Sequence, residues 1–454
     1  MHTIVVGAGP AGLFTAISLA RRGRSVLVVD RDPGPTGPDE WRRRGVMQFA
    51  HSHTFRAPAI EALQQEIPDA LVAMRRAGAT IATATDGAAA ALRIRREVFE
   101  RVLRDVASAQ RRLTMVTGHV DAVLTSAGRA VGVRVGGAEA HAGLVIDASG
   151  RTGRALRDGR VGDGTGRRAV GMVEGSPCGA AYVSRQYRLR DGADPGPVNS
   201  PIGLSLTLRG YFAVMFLHEG RTFSVTITHG GTDSRLHRLR HPALYEAAVR
   251  AIPGLAEWID PARAEPLTPV LPGGRLYNTY RAQVDGSGQP VLPGLVAVGD
   301  AVCTTTPLAG RGVSLAFLQA RRLVEILAAH RDPAAATVEF DAWCRTDIRP
   351  WYLDHVAADG DRLRRWSGGD VDLTRPLPSD LVVAAAAADP GLGPAVAPYD
   401  RMSALPSSLD APQARARAVY ASGWRPPVAD GPTAEDLAQL CGEADDRGRL
   451  PAAL

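Results

Sequence analysis

The chain has 454 residues, of which 45% are hydrophobic and 22% charged, and this balance is typical of a globular protein with two or three packed units. No apolar run approaches the roughly 20 residues of a membrane-spanning helix, and the strand pattern begins at Thr3 without a signal peptide, so we expect a cytoplasmic protein. The net charge is +6, but the basic residues are spread along the chain without interleaved aromatic residues, which argues against a nucleic-acid partner.

All 53 basic residues are arginine, because the sequence contains no lysine. With the abundance of Ala, Gly and Pro, this indicates a coding bias, and it excludes any mechanism that needs a lysine amine. The four cysteines have neither metal-ligand nor redox-pair spacing, so we expect no bound metal.

The N-terminal segment TIVVGAGPAGLFTAISLARRGRSVLVVDRD predicts a strand, a glycine turn, a helix and a second strand. Its turn has the GxGxxG pattern of dinucleotide-binding folds. Gly7 permits the tight turn, Gly9 lets the backbone approach a pyrophosphate, and Gly12 lets helix and strand pack closely. The start of the helix offers unpaired N–H groups to the phosphates. Asp30, which closes the second strand, is placed to accept hydrogen bonds from a ribose. The segment therefore predicts an adenine dinucleotide site.

A second glycine-rich segment distinguishes between the two common dinucleotides. Residues 295–317, LVAVGDAVCTTTPLAGRGVSLAF, predict a buried strand that ends near Asp300, a loop over residues 307–312, and a helix from Val313. NAD has no need of this second site, whereas FAD has a ribityl chain and a flavin ring that must be held. A carboxylate can accept from a ribityl hydroxyl, and a helix start can stabilise negative charge at the ring. The sequence therefore predicts FAD.

Three further motifs accompany these two sites: RRRGVMQFAHSHTF at residues 42–55, RIRREVFERVLRDVA from Arg93, and LVIDASGRTGR at residues 144–154. Together the motifs resemble those of flavoprotein monooxygenases of the para-hydroxybenzoate hydroxylase fold, a group that also contains geranylgeranyl reductases and flavin-dependent halogenases. The resemblance covers about residues 3–330. The run Asp147-Ala148-Ser149-Gly150 departs from the Asp-Gly pattern of the aromatic hydroxylases. This departure weakens the expectation that NAD(P)H reduces the flavin directly.

The resemblance implies an α/β fold class, with a Rossmann-like FAD-binding domain interleaved with an antiparallel-sheet substrate domain. We expect the FAD-binding domain at residues 1–165 and 290–330, the substrate-binding sheet at 166–289, and a helical C-terminal region at 331–454. The C-terminal region is expected to cap the pocket or support a dimer, so the protein is expected to be a monomer or a homodimer.

The motifs and the resemblance give a set of candidate site residues. The expected cofactor contacts are Gly7, Gly9, Pro10, Ala11, Gly12, Asp30, Arg31, Arg44, Gly45, Val46, Arg95, Val120, Asp147, Ala148, Gly150, Gly299, Asp300, Pro307, Gly310, Arg311, Gly312 and Val313. His51 and His53 are candidates for contacts near the flavin ring or for proton transfer. An equally supported alternative is that both are loop histidines whose hydrogen bonds are made by the backbone. The expected substrate pocket comprises Tyr211, Phe212, Met215 and Phe223.

The function implied is an FAD-dependent monooxygenase that inserts one oxygen atom, by hydroxylation or epoxidation, into an apolar natural-product-like substrate through a flavin hydroperoxide. NAD(P)H, or a partner flavin reductase, would reduce the flavin, and bacterial natural-product biosynthesis is the expected setting. Two alternatives stay open: an alkene reductase like the geranylgeranyl reductases, and an FAD-dependent dehydrogenase or oxidative cyclase. A halogenase is excluded at this stage, because those enzymes need a lysine beside the halide tunnel. A catalytically silent flavoprotein is disfavoured by the intact cofactor motifs.

Overall fold

The computed structural model describes residues 2–37, 41–43, 45–84, 86–152 and 171–447. The expected boundary between residues 165 and 166 lies outside these residues, as do Arg44 and the end of the 144–154 motif. The strands are β1 (His2–Val6), β2 (Ser25–Asp30), β3 (Phe55–Arg56), β4 (Thr80–Thr83), β5 (Ala89–Arg93), β6 (Leu113–Thr117), β7 (Val120–Ser126), β8 (Arg129–Val135), β9 (Ala138–His141), β10 (Leu144–Asp147), β11 (Val173–Pro177), β12 (Ala180–Leu189), β13 (Gly203–Leu208), β14 (Tyr211–Leu217), β15 (Thr222–Gly230), β16 (Ala264–Pro266), β17 (Leu271–Gly273), β18 (Tyr277–Arg281), β19 (Leu295–Ala297) and β20 (Cys303–Thr304).

The α-helices are α1 (Pro10–Arg21), α2 (Ala57–Glu66), α3 (Pro68–Arg76), α4 (Arg96–Ser108), α5 (Pro242–Arg250), α6 (Pro253–Ala256), α7 (Gly312–Ala329), α8 (Pro333–Trp343), α9 (Arg349–Trp366), α10 (Ser379–Ala384), α11 (Gly393–Asp400), α12 (Gln413–Ala421) and α13 (Ala434–Arg447). From residue 333 onward the described chain is helical, as expected for the C-terminal region. Among the described residues, no helix is both long enough and apolar enough to span a membrane.

The first layer is a five-stranded parallel sheet in the order β19-β10-β1-β2-β6. The register aligns Val6 of β1 with Asp147 of β10 and with Val29 of β2, and Asp147 with Ala297 of β19. The carboxyl ends of the strands therefore lie at one edge, where parallel sheets bind their ligands. This register brings the glycine turn after β1 close to the Asp300 segment after β19, although nearly 300 residues separate them.

The second layer is an antiparallel sheet in the order β13-β14-β15-β12-β16, with β17 also paired to β12. One face packs on α5 and α13 in its own hydrophobic core. The other face is turned toward the edge of the parallel sheet and forms part of a cavity wall. The α/β fold class is confirmed: a Rossmann-like parallel sheet, a separate antiparallel sheet and a helical C-terminal region.

Candidate active site

One large cavity, of about 770 Å³, lies between the two sheets. The carboxyl edge of the parallel sheet forms one end, and strands β12, β14 and β15 form the other. Of the predicted cofactor residues, the following line it: Gly7, Gly9, Pro10, Ala11, Asp30, Arg31, Gly45, Val46, Val120, Ala148, Gly150, Asp300, Pro307, Gly310, Gly312 and Val313. Both glycine-rich segments and the two candidate histidines therefore face the same space.

The turn after β1 is built so that only glycine fits. Gly7 has φ +107°, and a Cβ there would lie 2.5 Å from the carbonyl oxygen of Ala148. Gly12 does not line the cavity, but a Cβ there would lie 2.0 Å from the Gly7 carbonyl oxygen. Gly12 thus sets the distance between helix and turn, in agreement with the packing role that the motif predicts.

The start of α1 is open to a ligand. Gly9 is the N-cap residue, no side chain caps this end, and Pro10 occupies the first turn. A Cβ at Gly9 would meet only Arg43 Nη1, at 3.5 Å, so the chain itself has room for a methyl group. What Gly9 preserves is space on the cavity side, where a phosphate would approach the N–H groups of the first turn.

Asp30 is held at the end of β2 by backbone and side-chain donors. Its carboxylate accepts hydrogen bonds from the Ala8 N–H at 2.5 Å and the Asp32 N–H at 2.8 Å. Arg43 donates to Asp30 and also to Glu100, and it is only 8% exposed. Arg43 was not among the residues predicted from the sequence, because three consecutive arginines give no signal of which side chains point inward. Arg44, which was predicted, lies outside the described residues.

The arginine-led helix contributes through Arg96 rather than Arg95. Arg96 lines the cavity and pairs with Glu100 at 2.5 Å. The structure does not bring Arg95 to the cavity: its backbone N–H and its Nε atom both donate to Glu219, at 2.7 and 2.6 Å. Arg95 therefore ties α4 to the antiparallel sheet, and a shift of one residue along a helix start separates the two roles.

Asp300 projects into the cavity from the turn after β19. Gly299 in that turn has φ +70°, and a Cβ there would lie 2.9 Å from the Ala11 Cβ, so the turn sits directly against α1. Within the described part of the chain, the Asp300 carboxylate accepts no hydrogen bond, although its carbonyl oxygen accepts from Arg281 and Thr304. Burial raises the pKa of Asp300. A ligand hydroxyl would supply the donor that this carboxylate lacks.

The loop after Asp300 presents its backbone to the cavity. Pro307, Leu308, Gly310 and Gly312 line the cavity, and Gly310 adopts the left-handed conformation at φ +63°. Helix α7 begins at Gly312 with no side-chain cap. Arg311 does not line the cavity; its side chain points to the opposite side of the loop, toward the C-terminal helices.

In the Asp147-Ala148-Ser149-Gly150 run, the first residue supports the turn and the other three line the cavity. Asp147 is fully buried, and its carboxylate accepts a hydrogen bond from the Ser149 N–H at 2.9 Å, so it shapes the turn instead of facing the cavity. Ala148, Ser149 and Gly150 line the cavity beside the turn after β1. Val120 lies at the Asp30 end, together with Gly118.

The two histidines both line the cavity, and their ring nitrogens are engaged. His53 Nδ1 lies 2.8 Å from the His51 carbonyl and Nε2 lies 3.2 Å from Arg96 Nη1. Because the carbonyl only accepts and the guanidinium only donates, Nδ1 carries the proton and the ring is neutral. Burial and the Arg96 charge hold the pKa of His53 well below its usual range.

His51 is fixed in a similar way. Its Nδ1 lies 2.5 Å from Ser184 Oγ, and its ring packs edge-on against Tyr182 at 4.8 Å. Burial lowers its pKa to about 4, against the opposing effect of a hydrogen bond to the Pro272 backbone. Both rings are therefore neutral, oriented parts of the cavity wall near pH 7.

Most of the residues predicted to form the substrate wall lie on the wrong face of the antiparallel sheet. Phe212 lines the cavity, but Tyr211, Met215 and Phe223 are fully buried in the core on the opposite side of the sheet. Side chains alternate along a strand, so the cavity receives residues 212, 214 and 216 of β14 and not residues 211 and 215. The other side chains that line this part of the cavity are Tyr182, Val214, Phe216, Thr226, Thr228, Leu276 and Tyr277.

The residues of the cavity fit FAD. At one end, the glycine turn at Gly7, which a Cβ would disturb, lies beside the open start of α1. The Asp300 carboxylate, which accepts no hydrogen bond from the described residues and whose pKa burial raises, lies beside the open start of α7. Asp30 and the turn at Gly7–Gly9 would hold the adenosine and pyrophosphate, Asp300 the ribityl chain, and residues 307–313 the ring. The apolar wall formed by Phe212, Val214 and Phe216 lies in the same cavity.

Known proteins match the chain in two ways. Residues 3–165 match the family model for FAD dependent oxidoreductases. Over 364 residues the chain is 29% identical to kynurenine 3-monooxygenase of Salinispora arenicola, with 75% of each chain covered. It is also 40% identical over 60 residues to D-amino acid dehydrogenase of Rhizobium johnstonii, but these residues are 13% of this chain and span only 14% of that relative.

Two solved structures share the overall fold. A triple mutant of the flavin-dependent brominase Bmp2 superposes with a TM-score of 0.58 at 16% identity, covering 93% of this chain and 98% of that one. PqsL, a probable FAD-dependent monooxygenase from Pseudomonas aeruginosa, superposes with a TM-score of 0.53 at 15% identity, covering 81% and 100%. At these identities the likeness establishes the fold alone. Together with the family match over residues 3–165 and the cavity, the shared fold supports an FAD-dependent oxidoreductase with the para-hydroxybenzoate hydroxylase type of fold.

Proposed function

We propose that the protein is a monooxygenase that inserts one atom of dioxygen into an apolar small molecule, with electrons from NAD(P)H. The other oxygen atom leaves as water, and the nicotinamide is oxidised. The observation that carries the proposal is the continuity of the cavity, which joins the dinucleotide cradle at Gly9 and Asp30 to the wall formed by Phe212, Val214 and Phe216. The likeness to kynurenine 3-monooxygenase supports the same reaction class.

When bound, FAD supplies the acceptance of two electrons and the activation of dioxygen. The chain's own residues bind, orient and exclude water. Phe212, Val214, Phe216 and Leu276 present apolar surface to a substrate, and Thr226 and Thr228 add hydroxyl groups on the same sheet face. This composition favours a largely apolar substrate with few polar groups, because an apolar wall offers little to a charged group that loses its water.

The source of electrons has two candidates. The buried Asp147 carboxylate is engaged by the Ser149 N–H and is not presented to a nicotinamide from the cavity. Direct reduction by NAD(P)H therefore depends on other residues, and a partner flavin reductase is the alternative.

Rapid mixing of the anaerobic holoprotein with NADH or NADPH, followed by heavy-oxygen-labelled dioxygen and a panel of apolar substrates, tests the proposal. We expect flavin bleaching by one nucleotide and one labelled oxygen atom in a product. A product that gains hydrogen without oxygen would identify an alkene reductase, and one that loses hydrogen without oxygen would identify a dehydrogenase or cyclase. Bleaching only after a reductase is added would assign the electrons to a partner.

A further inference from the structure

We propose that Arg311 is a positioning residue, through which helix α9 of the C-terminal region holds the 307–312 loop in the conformation that receives the flavin ring. The inference rests on the proposed placement of FAD in the cavity. It gives the C-terminal region a role in the active site beyond covering it, through contacts made on the outer side of the loop.

The Arg311 side chain is fixed by charge, hydrogen bonds and aromatic rings. Its Nη1 donates to Tyr399 OH at 2.7 Å and to Asp354 Oδ2 at 3.1 Å. The guanidinium carbon lies 4.9 Å from the ring centre of Trp351 and 4.4 Å from that of Tyr399. Arg311 is only 6% exposed. A planar, permanently charged group suits a site that combines ring faces with a carboxylate.

The acceptors of Arg311 are themselves organised. Tyr399 OH donates to Asp354 Oδ2 at 2.6 Å, and the Trp351 and Tyr399 rings stack at 5.5 Å. Trp351 and Asp354 lie three residues apart on α9, on one face of that helix. The receiving site is therefore a preformed arrangement of two C-terminal helices, α9 and α11.

The backbone at Arg311 transmits this fixation to the cavity. Arg311 stands between Gly310, at φ +63°, and Gly312, and both glycines line the cavity. A Cβ at Gly310 would lie 3.0 Å from the Thr54 Cβ, so the loop is confined on its inner side as well. Arg311 is also the N-cap residue of α7, so fixing Arg311 fixes the backbone at the start of that helix.

The same helix holds the other end of the loop. The Thr306 N–H donates to Asn278 Oδ1 at 2.6 Å, and Asn278 Nδ2 donates to Asp359 Oδ2 at 2.8 Å. Asp359 belongs to α9 and also accepts from Arg362. Helix α9 is thus linked to the beginning of the loop through Asp359 and the intervening Asn278, and to the end of the loop through Asp354.

The sequence explains how α9 reaches this position. Between α8 and α9 the backbone forms a π-helical turn, Cys344–Ile348, in which the Arg349 N–H donates to the Cys344 carbonyl five residues back. Pro350 follows and has no N–H to continue an α-helical ladder. The wide turn rotates the face that α9 presents, and turns of this kind often occur at functional sites.

The test compares Arg311→Gln and Arg311→Lys with a matched control, Arg349→Gln. Arg349 belongs to the same helix but pairs with Glu174, at 2.6 and 2.9 Å, outside the cavity. For each variant we would measure the melting temperature of the apoprotein, the FAD dissociation constant, the visible flavin spectrum and the flavin midpoint potential. These quantities separate an effect on the flavin from an effect on folding alone.

We expect Arg311→Gln to raise the FAD dissociation constant by about tenfold, the effect of one well-made interaction, and to shift the spectrum and the potential. Arg311→Lys keeps the charge but not the planar contact, so its effect should lie between Gln and wild type. Arg349→Gln should match wild type in all flavin readouts. Arg311→Gln protein with wild-type affinity, spectrum and potential would overturn the inference, even if its melting temperature falls.

Two further variants keep the test decisive. If Arg311→Gln does not fold, Arg311→Lys and Tyr399→Phe, which removes only the hydroxyl, replace it; wild-type flavin properties in both would overturn the inference. Asp300→Ala distinguishes a failure of the positioning role of Arg311 from a failure of the FAD placement. If Asp300→Ala loses FAD and the Arg311 variants do not, only the positioning role is wrong. If Asp300→Ala also binds FAD normally, the placement itself is wrong.

Discussion

The two walls of the cavity are encoded differently. The dinucleotide end depends on residues that are neighbours in sequence, since Gly7, Gly9 and Gly12 form one turn and one helix start. The sheet end depends on which face of β14 turns inward, and both faces carry large apolar side chains. Alternation identifies a face only when one side is polar. A ligand cradle can therefore be located to the residue from sequence, whereas a wall buried on both sides can be located only to the strand.

Substitutions at Gly12 and Gly9 should separate the packing role of the glycine turn from its role in binding phosphate, and the effect at Gly12 should be the larger. In Gly12→Ala the new Cβ would lie 2.0 Å from the Gly7 carbonyl oxygen, so the turn must shift, and overpacking of this kind costs about 1–3 kcal/mol or more. Gly9→Ala meets only Arg43 Nη1 at 3.5 Å, so its apoprotein should keep the wild-type melting temperature. We expect Gly12→Ala to unfold at lower temperature and Gly9→Ala to lose FAD affinity alone.

Calorimetry of both apoproteins and titration with FAD would test this pair. Wild-type FAD affinity in Gly9→Ala would show that no phosphate approaches this residue, and would remove the N-terminal turn from the cofactor site.

Asp300→Ala should purify largely without flavin, because the carboxylate that would accept from the ribityl chain is gone. The matched Asp300→Asn variant keeps the shape and removes the charge. Flavin absorbance relative to protein absorbance measures the occupancy, and full occupancy in Asp300→Ala would remove this residue from the site.

The apoprotein offers a second measurement on Asp300. Burial raises the pKa of Asp300 from its ordinary value of 3.8, so the folded state binds the proton more tightly than the unfolded state. The contribution of Asp300 to stability is then full below pH 3.8 and is lost as the pH rises through the raised value. Asp300→Asn apoprotein should therefore be more stable than wild type at pH 7, and the difference should vanish under acid conditions.

The signals that predict the cofactor site are local in sequence, and most of the residues they indicate line the cavity. Gly7, Asp30 and Asp300 were found from strand ends and glycine turns, and the structure places all three at the cavity. Arg43 and Arg96 were not predicted, because their neighbours in RRRG and RIRR have the same chemistry and only the local backbone path shows which side chains point inward. Arg311 lies within a predicted loop but faces away from the cavity, toward partners that lie 43 and 88 residues further along the chain. No local pattern indicates contacts at that separation.

The wall of β14 can be tested with two adjacent side chains. Met215 is fully buried in the core, so Met215→Ala should destabilise the fold by about 2–5 kcal/mol. Phe216 faces the cavity, so Phe216→Ala should cost less stability and weaken the binding of an apolar substrate instead. Chemical denaturation and substrate titration distinguish the two. Equal loss of stability in both, with unchanged substrate binding, would contradict the assignment of faces.

The smallest effect is expected from the histidines. Burial lowers the pKa of His51 from 6.5 to about 4, so the unfolded state binds more protons between these values. His51 therefore contributes stability above pH 6.5 that is lost as the pH falls toward 4, and His51→Gln should flatten that part of the stability profile. His141→Gln provides the control substitution, because His141 is exposed on β9 and lies outside the cavity.

The same titration bears on catalysis. Because burial lowers the pKa of His51 to about 4 and holds that of His53 well below its usual range, neither ring changes its protonation state near pH 7. We therefore expect kcat/KM to show no inflection from either ring between about pH 5.5 and 8, although the ordinary histidine pKa lies within that range. An inflection in wild type that disappears in His51→Gln would show that His51 titrates in the holoprotein. In that case the ring would change its partners when FAD and substrate enter the cavity, and His51 would become the proton-transfer group.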